Sequence, residues 1–329
     1  MLIHGARLWH GVRVALRIVV IGGSGFLGQH IVAESDRRGH QAVTVARRAD
    51  PDRHVVVGDV QALSTDELKP LLAGHDAVVF AAGTDGGLAP SAPASEFFHQ
   101  GNVEPVRRLL AAARAVGCTR AVVCGSYFAT IARERPRLRL AEGHPYIASR
   151  VRQGKVALSA AGSGMSVAVL EIPFVFGAAD GRRAAMTPMV PWLRSRWPLF
   201  APPGGTAVAP VAAVAQAAVG ALERESTGYF PIAEANLTWI DLFARLAVLA
   251  GRPDPARVHN LPPLLMRAVL LAPALLNRFA DREPGLSPVR LTALLTQELY
   301  LDPELCRESL GVEPGGLDEA FRAMVAAAS

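Results

Sequence analysis

Short apolar runs alternate with amphipathic stretches over the first half of the chain. The β-branched run 17–21 ends at glycines and predicts a strand, and residues 26–38 then carry apolar side chains at helical spacing. Further strands are predicted at 42–46, 54–57, 77–82, 121–124 and 167–172, with helices at 63–72, 102–116 and 144–161. This alternation predicts an α/β fold with a doubly wound parallel sheet, whose ligands bind at the carboxyl ends of the strands.

The pattern changes after Pro173. Residues 177–210 look irregular and rich in proline, and they are followed by a helix at 211–222, a strand at 228–232 and a helix at 238–250. We expect this part to form a smaller C-terminal substrate lobe. The segment 84–95 is rich in Gly, Pro, Ala and Ser, which predicts a mobile loop that covers the substrate.

Residues 261–276 are densely apolar, and three interpretations of them remain open. The first is a lobe helix packed on the body, the second is a homodimer surface, and the third is a peripheral contact with a membrane surface. The prolines in this stretch argue against a long regular helix. Arg267 and Arg278 would suit anionic headgroups.

Composition narrows the class of protein. Half of the 329 residues are apolar, which excludes a disordered chain. Three cysteines are too few for disulfide bonds to hold together a chain of this size. All but two of the 34 basic residues are arginine, and they are dispersed, so nucleic acid is not expected as a partner. No histidine has metal-ligand spacing. The first 16 residues read as a poorly ordered leader without an apolar signal core, and we expect a cytoplasmic protein.

A glycine-rich loop follows the first strand directly and opens the first helix. Its pattern is Gly22-x-x-Gly25-x-x-Gly28, and Ser24, Phe26 and Leu27 lie within it. Glycine allows a tight turn and a close approach of the backbone to a pyrophosphate, and the helix N-terminus supplies free amide donors. The loop therefore predicts a dinucleotide site.

The end of the second strand bears on the choice between NAD and NADP. NAD binding favours an acidic residue here, but the strand is followed by Arg47 and Arg48, and Asp50 comes slightly later. Guanidinium groups suit a 2′-phosphate by charge and geometry. We expect NADP as the cofactor, with NAD as the alternative.

An ordered series of motifs makes the chain resemble the extended short-chain dehydrogenase/reductase family, in the branch of dihydroflavonol reductases and 3β-hydroxysteroid dehydrogenases. After the glycine loop come Gly58-Asp59-Val60, Phe80-Ala81-Ala82, Asn102-Val103, Gly125-Ser126, Pro145-Tyr146 with Arg150, Leu170 to Gly177, and Leu310 to Pro314. The resemblance covers roughly the whole chain from Arg17 onwards.

The resemblance implies a Rossmann domain at 17–176 and a mainly substrate-binding lobe at 177–329, some segments of which return to the Rossmann core. It implies that the cofactor is also bound by Asp59, Val60, Ala81, Ala82, Gly83, Asn102 and Pro173. Ser126 would orient the substrate carbonyl, and Tyr146 would donate the proton.

Two positions depart from the family pattern. Arg150 stands where the catalytic lysine is usual, four residues after Tyr146 and on the same helix face. Arginine can stabilise a tyrosinate and bind the ribose, but its pKa above about 12 prevents it from relaying a proton. Glu171 stands where arginine is usual, and a salt bridge to some arginine is one explanation.

The sequence thus predicts an NADP(H)-dependent oxidoreductase that transfers hydride to or from a carbonyl or hydroxyl carbon of an apolar small molecule. Two alternatives remain. One is a non-catalytic NAD(P)-binding protein with a regulatory or assembly role, and the other is an epimerase of a sugar-type substrate.

Overall fold

The computed structural model describes residues 15–47, 55–162 and 164–328. The greater part of the predicted leader lies outside these residues, as do Arg48 and Asp50.

The chain forms alternating strands and helices. The strands are β1 Arg17–Ile21, β2 Gln41–Ala46, β3 Val55–Val57, β4 Ala77–Phe80, β5 Arg120–Cys124, β6 Ser166–Glu171, β7 Phe174–Phe176, β8 Leu199–Ala201, β9 Gly205–Pro210, β10 Gly228–Pro231, β11 Ala235–Thr238, β12 Val258–Asn260 and β13 Glu298–Leu299. The helices are α1 Phe26–Arg37, α2 Thr65–Leu72, α3 Ala94–Asn102, α4 Glu104–Ala115, α5 Tyr127–Glu134, α6 Leu140–Gly143, α7 Pro145–Ala161, α8 Val190–Arg194, α9 Val211–Glu223, α10 Trp239–Leu249, α11 Pro263–Phe279, α12 Pro288–Leu295, α13 Pro303–Leu310 and α14 Leu317–Ala326. Single 3₁₀ turns lie at Pro136–Leu138 and Thr187–Met189.

Seven parallel strands form the main sheet in the order β10-β6-β5-β4-β1-β2-β3. The chain runs outward from β1 through β2 to β3 and then returns to β4 on the other side of β1. This reversal opens a crevice at the carboxyl ends of β1 and β4, where Rossmann folds bind their ligands. The predicted doubly wound parallel sheet is confirmed.

Side chains of β1 explain why the sheet is covered on both faces. Ile18 and Val20 point into one apolar cluster, which includes α1 and α9, and Val19 and Ile21 point into another, which includes α2 and α4. Because every one of these side chains is buried, the strand is continuously apolar instead of alternating.

Strands and helices after Pro173 form two main groups: one builds a second sheet with its own helices, and the other completes the main sheet. A four-stranded sheet of β7, β9, β11 and β13 packs with α8, α10 and α14 around its own apolar cluster. In contrast, β10 completes the main sheet beside β6, and α9 packs on α1.

Two helices next to the site differ from the sequence-based expectation. The predicted helix 102–116 corresponds to α4, and a helix that was not predicted, α3, precedes it and ends at Asn102. Helix α5 was not predicted, although Ser126 caps it by accepting a hydrogen bond from the Phe128 amide. The reason is that its first five residues, 127–131, are all buried, and so short a buried run does not distinguish a helix from a strand by its spacing.

Two predictions about the second part were wrong. Residues 177–210 are not irregular throughout, since β9 is the central strand of the second sheet and is entirely buried. The stretch 261–276 lies mostly within a regular 17-residue helix, α11, despite its prolines. Pro263 stands at the first helical position, where a missing amide hydrogen costs nothing.

A buried ion pair stabilises the end of β6. The Glu171 side chain is fully buried and accepts hydrogen bonds from both Nη atoms of Arg133, at 2.6 Å for Nη1, and from the Thr130 hydroxyl. The Arg133 guanidinium lies 4.0 Å from the ring centroid of Tyr229 on β10. Glu171 is therefore the partner of an arginine supplied by α5, which accounts for the departure from the family pattern.

We expect Glu171→Gln to lower the free energy of unfolding by about 2–3 kcal/mol, because it leaves a partly buried guanidinium without its carboxylate. Urea denaturation measures this. The matched control is Glu142→Gln, whose partner Arg139 is exposed, and its cost should stay below about 1 kcal/mol. Equal losses in the two variants would contradict the assigned role of Glu171.

Candidate active site

A cavity of about 500 Å³ lies at the carboxyl ends of β1, β2, β3 and β4. Its lining residues are Ile21, Gly22, Ser24, Gly25, Val45, Ala46, Arg47, Gly58, Asp59, Val60, Gln61, Ala81, Ala82, Gly83 and Arg182. This is the crevice where the chain reverses its direction through the sheet, so the cavity occupies the position expected for a dinucleotide.

The glycine loop makes the close contacts that a dinucleotide fold needs. Gly22 has φ +81°, and its carbonyl accepts a hydrogen bond from the Gly25 amide at 2.8 Å. A Cβ atom on Gly28 would lie only 2.1 Å from the Gly22 carbonyl oxygen, so any side chain there would push α1 away from β1. No side chain caps the first turn of α1. Its amide groups can therefore bind a pyrophosphate.

The charged groups around the cavity are mostly basic. Arg47 is exposed at the end of β2 and lines the cavity, as does Asp59. Arg182 also lines it, and its Nε donates to the Ser24 carbonyl at 3.1 Å. Sequence reasoning missed Arg182, because it lies more than 150 residues from the glycine loop, in a segment that looked irregular.

Nine of the fifteen predicted cofactor residues line this cavity, and Arg48 lies outside the described residues. Phe26 and Leu27 pack into apolar clusters, and Gly28 and Pro173 are buried. The cofactor contacts of all these residues remain predictions.

Asn102 is fully buried and connects two parts of the site. Its Oδ1 accepts from the Thr84 amide at 2.7 Å, and its Nδ2 donates to the Ser149 hydroxyl at 3.0 Å. The Ser149 hydroxyl in turn donates to the Tyr146 carbonyl. Asn102 thus fixes the loop after β4 relative to the start of α7. It is not among the cavity-lining residues, and its contact with the cofactor remains a prediction.

Tyr146 lies in the first turn of α7 with its ring enclosed by aromatic side chains. Its ring centroid is 5.7 Å from that of Phe98 and 6.5 Å from that of Phe128, both edge-on, and the side chain is 8% exposed. The backbone of Gly86 lies against the same ring, since a Cβ there would be 2.7 Å from it. The surroundings of the predicted proton donor are therefore strongly apolar.

Arg150 lies one turn further along α7, between Tyr146 and the loop after β4. Its guanidinium carbon is 5.1 Å from the centroid of the Tyr146 ring. Its Nη atoms donate to the carbonyls of Thr84 and Cys124 and to the Gln153 side chain, at 3.0–3.3 Å. A Cβ on Gly83 would be 2.6 Å from Nη1. A buried cation is thus held between Tyr146 and the loop that lines the cavity.

Ser126 stands at the junction of β5 and α5. Its Oγ accepts from the Phe128 amide at 3.4 Å, which leaves the hydroxyl hydrogen available to another acceptor. Phe128 packs against Tyr146, so α5 and α7 bring the two predicted catalytic residues to the same region. Burial raises the pKa of the neighbouring Cys124 thiol to about 12, which disfavours its thiolate form near pH 7.

Residues 281–287, here called the strap, close the site over Tyr146. The strap pairs with the loop 88–94 through hydrogen bonds from Gly285 N to Leu88 O and from Glu283 N to Pro90 O, both 3.0 Å. The Gly285 carbonyl accepts from the Tyr146 amide at 3.0 Å. The predicted loop 84–95 is thus bonded to the second part of the chain, and α3 already begins within it at Ala94.

His144 completes the contact between the strap and α7. Its Nδ1 accepts from the Ser287 amide at 3.0 Å. Burial, with a smaller contribution from Arg290, lowers the pKa of His144 to about 4. The imidazole is therefore neutral near pH 7 and serves as an acceptor.

These features define a dinucleotide-binding protein of the Rossmann type. The chain belongs to the NAD dependent epimerase/dehydratase family, which matches residues 18–197. The resemblance to extended short-chain dehydrogenases/reductases is thereby confirmed at the level of the family, and with it NAD(P) dependence.

Individual proteins resemble the chain over nearly its full length. It is 29% identical over 318 residues, 90% of this chain and 91% of the relative, to the 4-hydroxy-2-methyl-3-oxo-4-farnesyl-3,4-dihydroquinoline-1-oxide ketoreductase of Stigmatella aurantiaca. A solved nucleoside-diphosphate-sugar epimerase from Pseudomonas aeruginosa has a TM-score of 0.70 at 21% identity, covering 94% of this chain and 96% of its own. A short-chain dehydrogenase/reductase superfamily protein from Agrobacterium tumefaciens, solved with bound NAD, has a TM-score of 0.64 at 16% identity and covers 95% and 97%.

We expect Gly28→Ala to weaken NADPH binding at least about tenfold and to lower the melting temperature, because its Cβ meets backbone atoms that cannot yield. Isothermal titration calorimetry and thermal unfolding measure the two effects. The control is Gly164→Ala, where a Cβ would meet nothing within 4 Å. Unchanged NADPH affinity in a folded Gly28→Ala variant would contradict this account of the loop.

Proposed function

We propose that the protein is an NADP(H)-dependent ketoreductase that acts on a carbonyl group of an apolar small molecule. The observation that carries this proposal is the enclosure of Tyr146 by Phe98 and Phe128 beside the Arg150 cation. An apolar enclosure favours an apolar substrate, because a polyol would lose its hydration without gaining hydrogen bonds. The ketoreductase relative, whose name specifies a farnesylated substrate, supports the same reaction class.

The residues divide the proposed reaction between them. When bound, the nicotinamide supplies a hydride to the carbonyl carbon during reduction or accepts one during oxidation. In reduction, the Tyr146 hydroxyl donates its proton to the carbonyl oxygen as negative charge develops there. The Ser126 hydroxyl donates a hydrogen bond to the same oxygen and orients it.

Arg150 acts through its charge. Its permanent positive charge lies 5.1 Å from the centroid of the Tyr146 ring, where it stabilises the transition state as negative charge develops on that side chain. Because arginine does not release its proton, the proton that restores Tyr146 comes from water and not from Arg150.

We expect Tyr146→Phe to lower kcat for reduction of apolar ketones at least about 100-fold, since the variant keeps the ring packing and loses only the proton donor. NADPH oxidation over a panel of ketones measures this, with NADPH affinity as the test of an intact cofactor site. Arg150→Lys should retain part of the activity, because it keeps a cation on the same helix face while an ammonium group cannot replace every hydrogen bond of the guanidinium. Equal turnover by wild type and Tyr146→Phe would remove Tyr146 from the mechanism.

A non-catalytic dinucleotide-binding role is the second candidate. Protein acceptors already engage both Nη atoms of Arg150, which favours a structural use of this side chain. The same assay separates the candidates, because absence of turnover by wild type despite tight NADPH binding would favour the binding role. Sugar epimerisation is tested in parallel with UDP-sugars, since solved relatives of similar fold include sugar epimerases.

The proposed preference for NADP depends on the charges of the cavity. Arg47 and Arg182 line it together with a single acid, Asp59, within the part of the chain that the structure describes. A 2′-phosphate adds negative charge that two guanidinium groups can neutralise through bidentate hydrogen bonds.

We expect wild type to bind NADPH more tightly than NADH and expect Arg47→Ser to weaken NADPH binding about tenfold with little effect on NADH, because only NADPH carries the 2′-phosphate. Tryptophan fluorescence titration measures both constants. Arg322→Ser, which removes one exposed arginine from α14, controls for net charge. Tighter binding of NADH by wild type would contradict the preference.

A further inference from the structure

Helix α11 carries an unusual concentration of exposed apolar side chains. Seven of the thirteen large apolar side chains exposed in the described part of the chain belong to this helix: Leu264, Leu265, Val269, Leu271, Leu275, Leu276 and Phe279. Leu264 and Phe279, near its two ends, are 83% and 88% exposed. Exposed apolar patches that are contiguous mark interaction sites.

The exposed side chains share one face of the helix. At about 100° per residue, the seven positions fall within an arc of about 160°. Met266 projects on the opposite side and is 4% exposed, so this side packs on the body of the protein. A helix on the surface of a monomer normally turns its apolar face inward. Helix α11 turns it outward.

The charge of this region selects the kind of partner. The 26 residues between Asp254 and Asp281 contain three arginines, Arg257, Arg267 and Arg278, and no acidic residue. Arg267 is exposed and lies at the edge of the apolar arc. A cation beside a wide apolar face is the pattern of helices that lie in the interface of an anionic membrane, where headgroups meet the charge and acyl chains meet the apolar face.

A second copy of the chain fits this surface less well. A two-fold contact between two α11 helices would bring the same basic stretch together without an acid in it to compensate. None of the helices in the described residues is long and apolar enough to cross a membrane. A helix that lies along the membrane surface is the arrangement that fits both the exposed apolar face and the basic charge.

We propose that α11 docks the protein onto an anionic bilayer surface, with the apolar arc in the interface and its axis along the membrane plane. The helix ends at Phe279 and continues directly into the strap, whose Gly285 carbonyl accepts from the Tyr146 amide. Docking therefore brings the strap that covers Tyr146 close to the bilayer. The role of docking in catalysis rests on the proposed function. If the protein reduces apolar ketones, an apolar carbonyl compound can pass from the lipid to Tyr146 without crossing water.

Vesicle flotation tests the docking without any catalytic readout. We expect wild type to float with vesicles of phosphatidylcholine and phosphatidylglycerol in equal parts, and more weakly with phosphatidylcholine alone. The double variant Leu264→Glu/Phe279→Glu should lose at least about tenfold in partitioning, because two apolar anchors become carboxylates. Arg267→Gln should lower binding to the anionic vesicles about fivefold and leave binding to the neutral ones unchanged.

Leu305→Glu is the matched control, because it places a carboxylate at an exposed leucine on α13 and should float like wild type. Wild type that stays unbound with both kinds of vesicle would overturn the proposal. So would a wild-type dimer that the double variant converts to a monomer without any vesicle binding, since α11 would then be an interface between copies.

Kinetic measurements on ketones distinguish membrane docking from the proposed reduction. For an apolar ketone presented in vesicles, the double variant should raise KM and leave kcat unchanged, and activity on a water-soluble ketone should not change. If the protein floats with vesicles but turns over no ketone, docking would be supported and only the ketoreductase proposal would be refuted.

Discussion

The buried guanidinium of Arg150 joins three backbone segments that meet at the carboxyl edge of the sheet. Its Nη atoms bind Thr84 after β4, Cys124 at the end of β5, and Gln153 on α7 itself. A buried cation that lost these acceptors would cost several kcal/mol. The loop after β4 is thereby held against α7, and this is possible because Gly83 has no Cβ to collide with the guanidinium. The position of Tyr146 relative to the cofactor cavity depends on this contact.

Polarity divides the site into two parts. Around the glycine loop the cavity presents backbone amides, Arg47 and Arg182, which suits phosphates. Around Tyr146 the neighbours are aromatic rings and the glycine backbone at residue 86. In such surroundings the charge of Arg150 acts on Tyr146 with little screening by water.

The second part of the chain closes the site from outside the sheet. Its strap pairs with the loop 88–94 and binds both the Tyr146 amide and the neutral His144 ring. The same segment leads back into α11, whose apolar face points away from the protein. The segment that covers Tyr146 and the exposed apolar face of α11 therefore belong to one continuous stretch of chain.

The sequence by itself determined the Rossmann sheet and the cofactor loop, because buried parallel strands require continuous apolar runs and the Gly22–Gly28 turn requires glycine. It also placed Arg150 on the same helix face as Tyr146, since that follows from helical periodicity. Only the tertiary structure decided which partners these residues meet. Arg182 at the cavity, Arg133 on Glu171 and the strap over Tyr146 all join residues far apart in the chain, and local patterns carry no information about such contacts. The orientation of α11 was likewise undecided, because an apolar helix face looks the same in sequence whether it turns toward the core or away from it.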